Sequence, residues 1–260
     1  MRAQVAGLAR LGNTWGVVEA VAGSVVEMWA AMVRGIPGSW TRRVGGALGT
    51  WAGVPVATMN GVLVAGESDE VVVEDLLAEA AAGGLPYSIA GRPAFAGRLE
   101  AVAGTRGMVA RPGVPLMALA DLRAVREVPL AGVERLAAGE ASVHSDVAAA
   151  GFAMPREIFG RLEGIMSLDG VCAYVVRVDG QAVASALCCV RDGYAGIFNV
   201  ATLERYRRRG LGAAVTARAA LDAFDAGARC AWLQSSPLGR GIYERLGFEL
   251  LEEWPVWVSA

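Results

Sequence analysis

Apolar and polar positions along the chain follow two periods, and the switches between them lay out the elements. Leu211, Ala214, Val215, Leu221 and Phe224 share one helical face, while Arg218, Asp222 and Asp225 fall opposite. Gly227 follows the last apolar position and predicts a left-handed cap. The flanking runs, AGIFNVAT (Ala195–Thr202) and RCAWLQS (Arg229–Ser235), read as strands. A second helix is marked by Ser236 as N-cap, Pro237 at the first helical position, an apolar stripe of Leu238, Ile242 and Leu246, and Gly247 as its stop. Tyr243 lies at the edge of that stripe. Phe248–Leu251 and Trp254–Val258 then read as a closing pair of strands, with Glu252 and Glu253 as a solvated turn between them.

The front of the chain is less strongly patterned. Val17 to Arg34 and Glu70 to Ala82 carry helical periodicity. Val44 to Gly66 is uncharged over 23 residues, long enough to span a bilayer. Its six glycines, Pro55 and Asn60 instead predict two short strands joined by a turn. The segment MRAQVAGLARLGNTW lacks a continuous apolar core, so no signal peptide is expected and the expected location is cytoplasmic.

With 260 residues the chain suits one large domain or two smaller ones. A net charge of -2 argues against a whole-surface attraction to nucleic acid. Lysine is absent, which matches Ala/Gly/Arg-rich codon usage. Cys172, Cys188, Cys189 and Cys230 show no metal or redox spacing and read as reduced, buried thiols; no metal is expected.

One stretch departs from that near-neutral balance. Arg205, Arg207, Arg208 and Arg209 precede Gly210-Leu211-Gly212 at the mouth of the first helix. A helix N-terminus leaves backbone N–H groups without partners, and these favour an anion. The glycines remove side chains that would keep a ligand away, and the arginines add forked, permanently charged donors suited to phosphate. The loop is neither a Walker A loop nor a G-x-G-x-x-G fingerprint. The loop reads as a diphosphate cradle or, alternatively, as a solvated basic turn leading into an ordinary helix.

The pair of segments VATLERYRRRGLGAAV and SPLGRGIYERLGF resembles the GNAT superfamily of acyl-CoA-dependent N-acyltransferases. The first is similar to its pyrophosphate loop, Q/R-x-x-G-x-G/A, and the second to its terminal helix, where a Tyr precedes Gly-Phe. VCAYVVRVDGQAVASALCCVRDGYAGIFNVAT supplies the antiparallel strands, with a turn at Asp179-Gly180. The resemblance implies that backbone groups of Val200, Ala201 and Thr202 pair with the pantetheine arm of acetyl-CoA. It implies diphosphate contacts from Arg207, Arg208, Arg209, Gly210, Leu211, Gly212 and Ala213. Ser236 stands where many relatives carry an Asn that touches the cofactor. Tyr243 matches the hydroxyl that protonates the departing thiolate as the amine attacks directly in a ternary complex.

The front half echoes the back. Gly83 to Pro93 has the spacing of Gly227 to Pro237, and Asn60 to Pro93 is five residues shorter than Asn199 to Pro237, the shortfall falling where the arginine loop would be. The expected fold is therefore α/β, two GNAT-like domains, each a mixed, mostly antiparallel sheet flanked by helices. Residues 1–130 would form a degenerate domain, 131–145 a connector and 146–260 the catalytic domain. His144, in the connector, reads as a solvated surface residue; Glu163, Asp192 and Glu204 are open as bases; Trp254 and Trp257 read as core and edge packing. The expected function is transfer of an acetyl group from acetyl-CoA to a primary amine of a small molecule or peptide. The alternative is a non-catalytic acyl-CoA-binding or regulatory protein. No nucleic-acid or membrane partner is expected, and the chain is expected as a monomer or homodimer.

Overall fold

The computed structural model describes residues 14–137, 139–237 and 239–260. The front half runs α1 (Thr14–Arg34), β1 (Trp40–Val44), β2 (Ala47–Trp51), β3 (Asn60–Val64), α2 (Glu70–Ala81), β4 (Ser88–Gly91), α3 (Ala96–Thr105) and β5 (Val109–Leu119). The back half runs α4 (Arg123–Arg126), β6 (Val133–Arg135), α5 (Ala141–Phe152), α6 (Arg156–Arg161), β7 (Val171–Val178), β8 (Gln181–Arg191) and β9 (Tyr194–Thr202). It closes with α7 (Leu211–Asp225), β10 (Cys230–Gln234), α8 (Arg240–Arg245) and β11 (Glu249–Val258). Strand, helix, strand, helix recur in both halves: β3, α2, β4, α3 in the first and β9, α7, β10, α8 in the second.

Packing divides the described residues into two compact units: residues 22–116 with 252–260, and residues 14–21 with 117–251. The front unit thus takes its last strand residues from the far end of the chain. Its strand order is β1-β2-β3-β4-β11-β5. The uncharged stretch from Val44 to Gly66 contains β2 and β3, paired antiparallel from Ala47↔Val64 to Trp51↔Asn60. Asn60 ends that hairpin. Its buried Oδ1 accepts the Ala52 N–H at 3.0 Å and its Nδ2 donates to the carbonyls of Val54 and Pro86 at 2.8 and 2.9 Å. A buried amide is tolerated when it is satisfied in this way. Val73, Leu76 and Leu77 of α2 and Leu99 and Val102 of α3 bury against Val62, Val64 and Ile89. Among the described residues α1 is the one helix long and apolar enough to cross a bilayer, and 61% of that stretch is buried within the protein.

The C-terminal segment departs from the expected pair of strands. Residues 249–258 form one strand, β11, antiparallel to β4 with Val256↔Ala90 and Val258↔Ser88 in register. Glu252 is accordingly not a solvated turn residue. Its carboxylate takes a forked contact from Arg92, Nε at 3.0 Å and Nη2 at 2.8 Å, and accepts from Trp254 Nε1 at 2.9 Å. Arg92 is 3% exposed and Glu252 12%. Trp254 is fully buried and Trp257 packs on the front core, as expected of them.

In the back unit the strand order is β5-β10-β9-β8-β7-β6. β6 to β9 are mutually antiparallel and β10 joins β9 in parallel. α5 and α7 both pack on β8 and β9. The stretch expected as a connector is part of this body: it supplies β6 and the start of α5. Cys188, Cys189 and Cys230 are buried and Cys172 half-buried, all as free thiols; burial pushes the Cys230 thiol up to about 12.

The buried Arg92–Glu252 pair fixes the C-terminal strand, and leaving one charge of such a pair unmatched is costly. Glu252→Ala is expected to lower the unfolding free energy by about 3–5 kcal/mol. Urea titration monitored by tryptophan fluorescence measures it.

Candidate active site

The arginine loop enters α7 through two left-handed residues, Arg208 at φ 61° and Gly210 at φ 78°. Alternation of this kind turns successive N–H groups toward one side and forms an anion-binding concavity. The first N–H of the junction to find a main-chain acceptor is that of Ala214, on the Gly210 carbonyl at 2.9 Å. Among the described residues no carbonyl accepts from the N–H groups of Arg208 to Ala213. Gly210 needs its left-handed angle. A Cβ on Gly212 would sit 3.4 Å from Thr202 Oγ1 and 4.0 Å from Val200 Cγ1, ordinary contact, so the protein's own packing does not require glycine there.

The arginines are not equivalent. Arg207 donates through Nη2 to the Gly151 carbonyl at 2.8 Å and through Nε to the Thr202 carbonyl at 3.3 Å. Arg205 and Arg209 lie over the Tyr206 ring at 4.9 and 5.3 Å, and Arg205 also donates to Gln181. Arg208 is exposed and has no side-chain partner among the described residues.

The strand beside the loop opens toward it. β9 and β10 pair only at Cys230↔Tyr194, Ala231↔Ala195 and Trp232↔Gly196. Beyond Gly196, β9 runs on to Thr202 without that partner, so its β10-facing edge offers unpaired main-chain groups. Phe198 and Trp232 cross edge to face at 5.2 Å where the pairing stops. On its other side β9 carries a bulge: Ser185 faces Ala201 and Leu187 faces Phe198, so Asn199 and Val200 share one position opposite β8. Asn199 adopts φ 50°. Nothing in the sequence around Asn199 marks it as a site residue except that Asn is among the residues that reach left-handed angles most readily.

The front half has the same elements without these features. β3 and β4 stay paired in parallel from Gly61↔Ser88 to Val64↔Gly91. Gly61 adopts φ 121°, at which a Cβ would reach 1.9 Å from the Ser88 carbonyl oxygen. The connection from β3 to α2 carries Glu67 and Asp69, and α2 opens with Glu70, where the back half has arginines before α7. Acidic side chains at a helix N-terminus disfavour an anion there.

Tyr243 lies on α8, its ring 9% exposed and edge to face with Phe248 at 5.9 Å. It shares its core cluster with Val215 of α7, against which Val200 also packs. Its hydroxyl makes no hydrogen bond among the described residues, and burial pushes its pKa up to about 12. The helix is shorter than expected, Arg240–Arg245, because Ser236 caps a preceding turn. Ser236 Oγ accepts the Gly239 N–H at 3.2 Å, and its carbonyl accepts the Arg240 N–H at 3.1 Å. Ile242 is half-buried and Leu246 buried; Leu238 lies outside the described residues. A hollow of about 250 Å³ lined by Asp121, Leu122, Arg126 and Phe224 lies by the C-terminal end of α7, away from the loop.

Residues 169–250 match the family described as Acetyltransferase (GNAT) domain. Nothing among curated proteins matches the sequence. A GCN5-related N-acetyltransferase from Kribbella flavida is 25% identical, with a TM-score of 0.66 over 93% of this chain and 95% of that one. A tandem GNAT protein from the clavulanic acid biosynthesis pathway is 15% identical, with a TM-score of 0.56 over 91% and 94%. A GCN5-related N-acetyltransferase-like protein from Streptococcus suis is 16% identical, with a TM-score of 0.54 over 92% and 97%. The family match is thus confined to the second half of the chain, and the chain as a whole shares the mixed α/β fold of these solved GNAT-related structures.

The remaining titratable residues sort by position. Asp192 sits at φ 51° in the turn between β8 and β9, at the opposite end of β9 from Thr202. Glu163 is paired with Arg156 at 2.6 Å. Glu204 is exposed beside the loop. His144 is not the surface residue expected from the sequence. It lies in α5, 2% exposed, with both ring nitrogens lacking a hydrogen-bond partner. Desolvation lowers its pKa from 6.5 to about 4. A depressed pKa stabilises the fold above pH 6.5, and that stability is lost as pH falls toward 4. Between pH 7.5 and 5 the loss attributable to His144 is expected to be about 2 kcal/mol. Urea titrations at both pH values should show it in the wild type and show it reduced in His144→Phe.

Proposed function

We propose that the chain transfers an acetyl group from acetyl-CoA to a primary amine of a small molecule or peptide, by direct attack in a ternary complex. The observation that carries this reading is the coincidence of a parted strand pair with an unsatisfied, arginine-flanked helix N-terminus at one end of β9. The N–H groups from Arg208 to Ala213 would receive the diphosphate, with charge from Arg208 and Arg209. The free edge at Val200, Ala201 and Thr202 would pair with the amides of the pantetheine arm, and Ser236, at the end of β10, would border it. The bulge at Asn199 and Val200 turns main-chain donors out of the ladder, suited to polarise the thioester carbonyl.

The neutral amine attacks the carbonyl carbon, negative charge collects on oxygen, and the carbon–sulfur bond then breaks as the thiolate leaves. Tyr243 would give that sulfur its proton. A phenol held near 12 is protonated throughout the working pH range, so the acid form is always in place. The proton lost from the amine passes to water or to an acceptor such as Glu204, and a proton from solvent restores the Tyr243 phenol for the next turnover. No covalent enzyme intermediate is required.

Two variants separate binding from turnover in a thiol-release assay with acetyl-CoA against amines, amino acids, aminoglycosides and polyamines. Gly212→Val should abolish CoA binding by calorimetry, since its side chain fills the space over Thr202. Gly210→Val is less informative, because φ 78° strains a β-branched residue whatever the ligand does. Tyr243→Phe should bind CoA normally and turn over about 10²-fold more slowly. Wild-type turnover in Tyr243→Phe would assign the ring to packing alone.

A further inference from the structure

Arg207 heads the R-x-x-G-x-G pattern and is assigned to the diphosphate by resemblance. Its guanidinium is otherwise engaged. It spans two main-chain carbonyls, Gly151 at 2.8 Å and Thr202 at 3.3 Å, and so joins the last turn of α5 to the end of β9. A second observation shows how close those segments lie. A Cβ on Gly151 would meet Ala201 Cβ at 2.9 Å and the Thr202 nitrogen at 3.3 Å. The turn of α5 so held ends in Phe152, an exposed ring stacked on Phe159 of α6 at 6.0 Å and 7°.

We infer that Arg207 is a positioning residue: it fastens the end of α5 to the cofactor loop, so that filling the loop orders that turn and the aromatic pair it carries. The physical reason is the geometry of the fork. Charge-assisted donation to two carbonyls of separate segments fixes their spacing, which a lysine, as a single point of donation, does less well. Arg207 lies in the chain immediately before the loop's free N–H groups, so a ligand that immobilises Arg208 to Ala213 also immobilises the root of the strut. The ordering of α5 is thus coupled to cofactor occupancy through one side chain. This coupling rests on the reading of the loop as a CoA site; the strut itself does not.

The test is amide hydrogen exchange at residues 150–154, with and without CoA, in the wild type, Arg207→Gln and Arg207→Lys. CoA should slow exchange there in the wild type by about fivefold or more. In Arg207→Gln, CoA should bind within about threefold of wild-type affinity, yet the added protection at 150–154 should vanish; Arg207→Lys should restore part of it. Equal protection in wild type and Arg207→Gln overturns the inference, as does its absence in a wild type that binds CoA. A loss of CoA affinity of about tenfold or more in Arg207→Gln would return the residue to the diphosphate and also overturn it. If the wild type binds no CoA, the proposed function fails by itself. The strut is then decided in the ligand-free proteins, where Arg207→Gln must exchange faster than wild type at 150–154 and an unchanged rate refutes it.

Discussion

The site depends on hydrogen bonds that are not made. Main-chain groups of a strand inside a sheet are normally consumed by both neighbours. β9 gives up one neighbour after Gly196 while keeping β8 on its other side, and the edge released is the length of strand that leads to the arginine loop. A bulge on the kept side turns the same strand and holds Asn199 left-handed. The edge, the bulge and the unpaired helix donors lie in sequence within one connection, so under the proposed function a linear ligand with amides at one end and phosphates at the other would meet matching groups in order.

The front half shows what happens without that opening. Its equivalent strands remain paired in register through Gly91, so no edge opens between them. Its helix begins after acidic residues rather than arginines. On the proposed reading, the front half keeps the fold elements without the two features assigned to the cofactor, an opened strand pair and a basic junction. The front unit is held instead by apolar burial under α2 and α3 and by the forked contact of Arg92 on Glu252, a residue from the far end of the chain.

What could be read from the sequence was local. Cap residues, helical stripes and the arginine–glycine loop are short-range signals, and α2, α7, the β2–β3 hairpin and the loop all lie where those signals place them. What escaped was decided by distant partners. Nothing near Glu252 indicates that Arg92 awaits it, so two glutamates between apolar runs read as a turn. His144 is surrounded in sequence by Glu140, Ser145 and Asp146, which suggest a solvated segment; only the packing of α5 on β8 and β9 buries it. Arg207 was legible as a cation but not as a strut, because its carbonyl acceptor at Gly151 is remote in the chain.

The central claim is that one of two repeated halves holds one cofactor, at the parted strand and the loop that follows it. Calorimetric titration of the whole chain with CoA tests this most directly. One CoA per chain, bound in a single class of site, is the predicted result. Two per chain would contradict it, because the front half would then bind CoA despite its closed strands and acidic junction; no binding at all would remove the loop's assigned role.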